Sequence, residues 1–273
     1  MLSVQKIKFT LAISCAVLSC TPVQAQLVNS QIIGQSPTLN SNRKLNQTMI
    51  FAAPPPPPDI GEPGQRSEAG SRGCENIDQQ APSTQKHLTA LVPVYSNSEL
   101  VLGRTLAHSP TFWFYIPHKP LFPAKFVLRD KDGRLVYQTD ITLSETPGIV
   151  SLSLPKSVAP LEIGKQYRWF LKVYCKTQEP PVFVEGWIQR ISLDPILKSQ
   201  LENATPRSRV ALYAANGIWF EALSTANELR SRDPKDNSWT ALLQAVGLND
   251  LATEPIVECC TAKSLVKLQP IAQ

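Results

Sequence analysis

Histidine is scarce in this 273-residue chain, and His87, His108 and His118 stand at no ligand spacing with any cysteine. No Cys-x-x-Cys pair occurs either, so the usual zinc arrangements are excluded and no metal or other cofactor is expected. The signatures of nucleophilic and phosphate chemistry are missing as well: there is no Gly-x-Ser-x-Gly elbow, no Gly-x-x-x-x-Gly-Lys loop and no His-Glu-x-x-His helix. Catalytic partners can meet in space from distant positions, so this weighs against an enzyme without forbidding one. Beyond the N-terminus, charge, proline or glycine breaks every apolar run before it could span a bilayer as a helix. There is no dense basic block, which argues against a nucleic-acid partner. Glycine is sparse, 12 residues against 24 prolines, and five prolines sit together at Pro54 to Pro58. Such a run reads as a stiff linker and not as a fold of its own.

What is present begins with an export signal. Lys6 and Lys8 precede the short apolar run Phe9 to Leu18, and Val23-Gln24-Ala25 offers small residues for cleavage, which assigns 1–25 to a signal peptide and the mature chain to the periplasm or the outside. Val17-Leu18-Ser19-Cys20 also resembles a lipobox, so a membrane contact is expected only if Cys20 carries lipid. Loss of Lys6 and Lys8 with no acid lowers the formal charge from +5 to +3. Cys74, Cys175, Cys259 and Cys260 survive cleavage after Ala25, and in an oxidising compartment four thiols allow three connectivities.

The remaining chain divides by composition. Residues 26–80 are rich in Pro, Gln and Ser with apolar residues singly placed, and read as a disordered linker. Residues 81–193 carry short apolar runs between turn signals, the pattern of a β-sandwich domain. The clearest hairpin is Phe126–Arg129, then Asp130-Lys131-Asp132-Gly133, then Arg134–Tyr137, with Asp132-Gly133 supplying positive backbone dihedrals. The same loop invites a calcium reading but lacks the longer series of acids and the closing glutamate. Alternation points Tyr167, Trp169, Leu171, Val173 and Cys175 to the core, and likewise Val150, Leu152 and Leu154.

Residues 194–262 change period. Asp194-Pro195 and Thr205-Pro206 each start a helix, a third runs Ile218 to Ser231, and a fourth Asn237 to Val246 ahead of Gly247, leaving 263–273 as a tail. Gly217 to Ala222 with Asp233-Pro234 resembles half of one tetratricopeptide repeat, too little for a solenoid. The fold class expected is α+β: an immunoglobulin-like antiparallel β-sandwich followed by a C-terminal helical hairpin or bundle packed against it.

Two stretches stand out as surface candidates. In Phe112-Trp113-Phe114-Tyr115 alternation sends Trp113 and Tyr115 to one face, where an exposed pair could stack on sugar rings; the plainer account covers both faces. In Glu185-Gly186-Trp187-Ile188-Gln189-Arg190 the glycine permits a bulge or a close backbone approach, with Glu185 and Arg190 as ligand-orienting charges or as a simple ion pair.

Taken in order, Leu88–Pro93, His108–Trp113, Pro147–Val150, Tyr167–Trp169, Val184–Arg190 and Asn216–Trp219 resemble the cyanobacterial domain of unknown function 928, over about Arg72 to Cys260. The resemblance implies an exported cyanobacterial protein and supplies no catalytic residues. It also implies a disulfide between Cys74 and Cys175, with Cys260 beside Cys259 as a departure. The expected function is that of a non-enzymatic exported module whose helical tail, through Arg207, Arg209, Arg230 and Arg232, contacts an unknown protein partner. The rivals are a cell-envelope carbohydrate binder using Trp113, Tyr115 or Trp187, and an enzyme of unrecognised type.

Overall fold

A computed structural model of the chain describes residues 49–68, 86–95, 99–117, 122–143, 147–175 and 179–259. The expected signal at 1–25, together with Cys20, Cys74, Cys260 and the tail, lies outside the described residues. Within them are nine strands: β1 (Thr89–Ala90), β2 (Val94–Tyr95), β3 (Leu100–Thr105), β4 (Thr111–Ile116), β5 (Ala124–Asp130), β6 (Leu135–Ile141), β7 (Gly148–Ser153), β8 (Gln166–Val173) and β9 (Val182–Arg190). Four helices follow: α1 (Pro195–Glu202), α2 (Pro206–Ala215), α3 (Trp219–Arg232) and α4 (Ser238–Ala245).

The hairpin between β5 and β6 forms where the Asp-Gly signal sits. Gly133 takes φ +83°, a conformation that a side chain would strain, whereas Asp132 does not share it. Asp130 Oδ1 accepts the Arg134 amide at 2.8 Å and Asp132 Oδ2 the Arg134 guanidinium at 2.6 Å, so both loop carboxylates are engaged by one arginine.

The strands make two sheets, one of order β1-β4-β7 and one of order β2-β3-β9-β8-β5-β6. Along β8 the alternation is complete: Tyr167, Trp169, Leu171 and Val173 are buried, and the residues between them are half-buried. β4 breaks the simple rule because both of its faces are covered. Phe112 meets Phe126 of β5 with ring centroids 4.9 Å apart, and Phe114 meets Trp169 of β8 at 5.7 Å. On the reverse face Trp113 meets Trp239 of α4 edge-on at 5.7 Å. Both sides of β4 are thus covered, one by the larger sheet and the other by α4, while Phe220 of α3 reaches Phe112 and lies directly against Gly103 of β3, which explains a strand with large aromatics on both sides.

The expected all-antiparallel pairing does not hold throughout, since Ile149 makes a parallel bridge to Ile256 and two whole strands are parallel neighbours. β3 and β9 run parallel, Leu102 beside Trp187 through Thr105 beside Arg190. Parallel neighbours require a long crossover, and here β4 to β8 supply it.

The helices follow their caps. Asp194 Oδ1 accepts the Ile196 and Leu197 amides at 2.9 and 3.0 Å, Thr205 Oγ1 accepts the Ser208 amide at 3.2 Å, and a proline fills each first turn. α3 and α4 begin one residue after their expected starts. Trp219 at the head of α3 is buried and its Nε1 donates to the Leu91 carbonyl at 2.7 Å, joining the helical layer to the segment after β1.

The described part of the expected linker is the larger correction. Residues 49–68 lie against the domain and hydrogen-bond to it along their length. The Ala52 amide donates to the Ala214 carbonyl (3.0 Å), the Val101 amide to the Pro63 carbonyl (2.8 Å) and the Ala90 amide to the Arg66 carbonyl (2.8 Å). Gln65 and Glu185 exchange both backbone hydrogen bonds at 2.9 Å. The physical reason is a gap: β3 pairs with β9 only from Trp187 onward, so β9 keeps a free edge near Glu185 that this strap fills.

Candidate functional site

The strap and the outer face of the six-stranded sheet form one unit. Phe51, Pro54, Pro57 and Ile60 are turned inward while most residues between them are exposed, a repeat of three. Three residues per turn is the period of a polyproline II helix, whose backbone makes no internal hydrogen bonds and so depends on its surroundings; it fits the stretch before Asp59, which at φ +58° turns the chain toward Ile60. Phe51 meets Trp219 edge-on at 5.4 Å, and Ile60 packs with Tyr95, Leu100, Leu102 and Trp187 in a small core separate from the main one. Arg104 Nη2 donates to the Pro55 carbonyl at 3.2 Å and Trp187 Nε1 to the Glu62 carbonyl at 2.8 Å. Gly61 crosses directly over the indole; a Cβ there would stand 2.8 Å from Trp187 Cζ2. A shallow cavity of about 200 Å³ remains beside Pro56, Pro57, Ile60 and Leu100. Tyr95 Oη and Arg104 Nε are buried nearby without hydrogen-bond partners, and burial, opposed by the Arg104 charge, pushes the Tyr95 phenol up to about 12.

Beside this groove Arg168 organises the charges. Its Nε lies 3.0 Å from Glu185 Oε2 and its Nη2 2.8 Å from Glu62 Oε2, and the guanidinium stands over Phe170 (5.2 Å) and Trp187 (5.7 Å). Burial alone would lower the pKa of Arg168, but the hydrogen bonds and charges of Glu185 and Glu62 outweigh it and raise it. The ion pair expected within the 185–190 stretch therefore exists with a different partner: Arg190 instead donates to the Leu106 and Leu161 carbonyls at 3.2 and 2.7 Å. Gly186 serves the close approach and not a bulge, because β8 and β9 pair without a register shift and a Cβ would stand 2.6 Å from both Trp169 Cζ2 and Val101 Cγ1.

The other sequence candidates scatter. Trp113, Tyr115 and Trp187 are all buried, at 4, 5 and 4 % exposure, so the ring platform needed for stacking on sugars is not there. Trp113 and Tyr115 are covered because β4 is packed on both faces, and Trp187 of β9 because the strap crosses it at Gly61. Of the helical arginines, Arg207 pairs with Asp236 and Arg232 with Glu228, Arg209 Nε donates to the Leu201 carbonyl, and Arg230 Nη2 to the Glu254 carbonyl while its guanidinium stands over Trp239 at 5.7 Å. They tie the helical layer together. Cys175 and Cys259 pack partly buried against the main core, and neither is a free thiol.

One half-buried acid gave no signal in the sequence. Glu221 of α3 accepts at Oε1 from Thr105 Oγ1 (2.8 Å) and from the Leu106 and Ala107 amides (both 2.9 Å), while Oε2 is buried without a partner. Burial raises its pKa and those three bonds oppose the rise. It clamps the loop after β3, and its charge adds to burial in raising the pKa of the Tyr213 phenol. Among the described residues no cluster of His, Cys, Asp and Glu could hold a metal, and no helix is long and apolar enough to cross a membrane.

A family model described as Domain of Unknown Function (DUF928) matches residues 67–256. No curated protein and no solved structure matches the chain. All nine strands and four helices fall inside the matched span, and the proline run of the strap falls before it.

Proposed function

The chain belongs to the DUF928 family, and from that premise we propose that it is an exported, non-enzymatic protein-interaction module of the periplasm or cell envelope. One observation carries the reading: large apolar side chains stand in water where the sheet hands over to the helices. Ile196 of α1 is 72 % exposed, Leu193 just before it 36 %, and Ile163 56 %. The Ile163 loop is tied to the same place, because the Gly164 amide donates to the Arg190 carbonyl at 2.7 Å. Apolar side chains gathered at one end of a rigid sandwich are what a protein partner covers, with the exposed Arg207 and Arg209 on the next helix as part of a polar rim.

Export rests on the Lys6, Lys8 and Phe9–Leu18 pattern, and a bridge between Cys74 and Cys175 suits that compartment. Tagged full-length chain, cross-linked in an envelope extract, should retain one reproducible protein that the Ile196→Glu variant loses. Failure of wild type to retain any reproducible partner sinks the proposal. Peptide mapping without reductant should join Cys74 to Cys175, and fractionation should place the chain outside the cytoplasm.

A further inference from the structure

We infer that the surface running from Trp219 of α3 past Arg104 of β3 to Trp187 of β9 is a recognition groove for a polyproline II segment and the turn that follows it. In this structure Phe51–Ile60 of the same chain occupies it, and the partner it takes in trans is that segment of a second copy. A buried strand inserts every second residue and a helix every third or fourth, whereas Phe51, Pro54 and Pro57 enter the groove at intervals of three before Asp59, at φ +58°, turns the chain and brings Ile60 in. Recognition of such a helix calls for aromatic walls and donors aimed at its unpaired carbonyls, since its own backbone satisfies none of them. The groove has both. Trp219 and Trp187 stand at its two ends, Arg104 Nη2 reaches the Pro55 carbonyl, and Trp187 Nε1 reaches the Glu62 carbonyl.

The occupant is held as a ligand is held. Its proline stretch contributes to no sheet ladder, and the first β-bridge of the strap is the isolated one between Gln65 and Glu185. The family match starts after this stretch, at residue 67, so the groove lies in the shared domain and its filling precedes that domain in the chain. Every copy carries both parts, which makes the segment of a second copy a ligand whose fit the resident segment already displays. This surface is separate from the Ile196 region, so either reading can fail alone.

The test uses the full chain and a fluorescein-labelled peptide covering residues 51–65. Gly61→Val in the chain drives a side chain into Trp187 and releases the resident segment. Peptide binding by anisotropy should then be roughly tenfold or more tighter than for the wild-type chain, where the tethered segment competes at high effective concentration. The same peptide with Gly61→Val should not bind. A G61V chain with native circular dichroism that ignores the wild-type peptide overturns the proposal. Should G61V not fold, hydrogen exchange on the wild-type chain decides. The Val101 and Gln65 amides, bonded across the strap, should exchange well before the Leu171 amide inside β8. Equal protection at all three overturns it.

Discussion

Glu185 pairs with Arg168, a residue of the neighbouring strand, at 3.0 Å, and not with Arg190 five positions along its own strand. Side chains on one face of a sheet meet across strands, and at odd spacing along a strand they point to opposite faces. Glu185→Ala should therefore leave Arg168, only 22 % exposed, with Glu62 alone, and lower stability by about 1 to 3 kcal/mol in urea unfolding. Arg190→Ala should not change the effect of Glu185→Ala. Strong coupling between the two in a double-mutant cycle would contradict the geometry.

Trp113→Ala should behave as a core deletion. With its ring buried against Trp239, the loss should be about 3 to 5 kcal/mol, read as a lowered unfolding midpoint. Sedimentation with purified peptidoglycan should show no retention that depends on Trp113, Tyr115 or Trp187.

Glu221 sets a pH dependence whose sign is opposite to that of a salt-bridged acid. Its folded pKa is raised by burial, so the folded state holds the proton more tightly than the unfolded chain does. The penalty is full above the raised pKa and is relieved as pH falls toward the ordinary glutamate value; Glu68, raised by burial with His87 opposing, adds in the same direction. Mild acidification from neutrality should thus raise the stability contributed by these groups. The urea midpoint of Glu221→Gln should gain less than that of wild type over the same pH step, and identical gains would contradict the assignment.

Gly186→Ala should destabilise by about 1 to 3 kcal/mol, because the new methyl meets Trp169, Val101 Cγ1 and the Val101 carbonyl, all fixed in the sheet. A thermal scan reads the loss directly. Gly133→Ala should cost less, since nothing lies within 4 Å and only its positive φ opposes the change.

The hairpin at Gly133, the inward set of β8 and the starts of α1 and α2 were legible because each is fixed by neighbours in the chain: a turn residue, a period of two, a cap before a proline. What depends on distant partners was not. Both faces of β4 are large and apolar, so its pattern cannot tell a strand between two layers from one with an exposed aromatic face. The strap looked like a linker because it has no period of two or 3.6; a count at intervals of three over Phe51, Pro54, Pro57 and Ile60 would have found it. The Arg168 cluster and the Glu221 clamp draw on residues from separate elements and leave no local trace.

The parallel pairing of β3 with β9 bears on how the molecule assembles. Since β4 through β8 intervene in the chain, this seam cannot close while synthesis is still delivering them, and its closure is an entropically slow, late contact. Until β9 arrives, β3 presents an unmatched ribbon edge to every other nascent copy. Refolding should accordingly be slower than the helix content suggests, and its yield should fall with rising protein concentration.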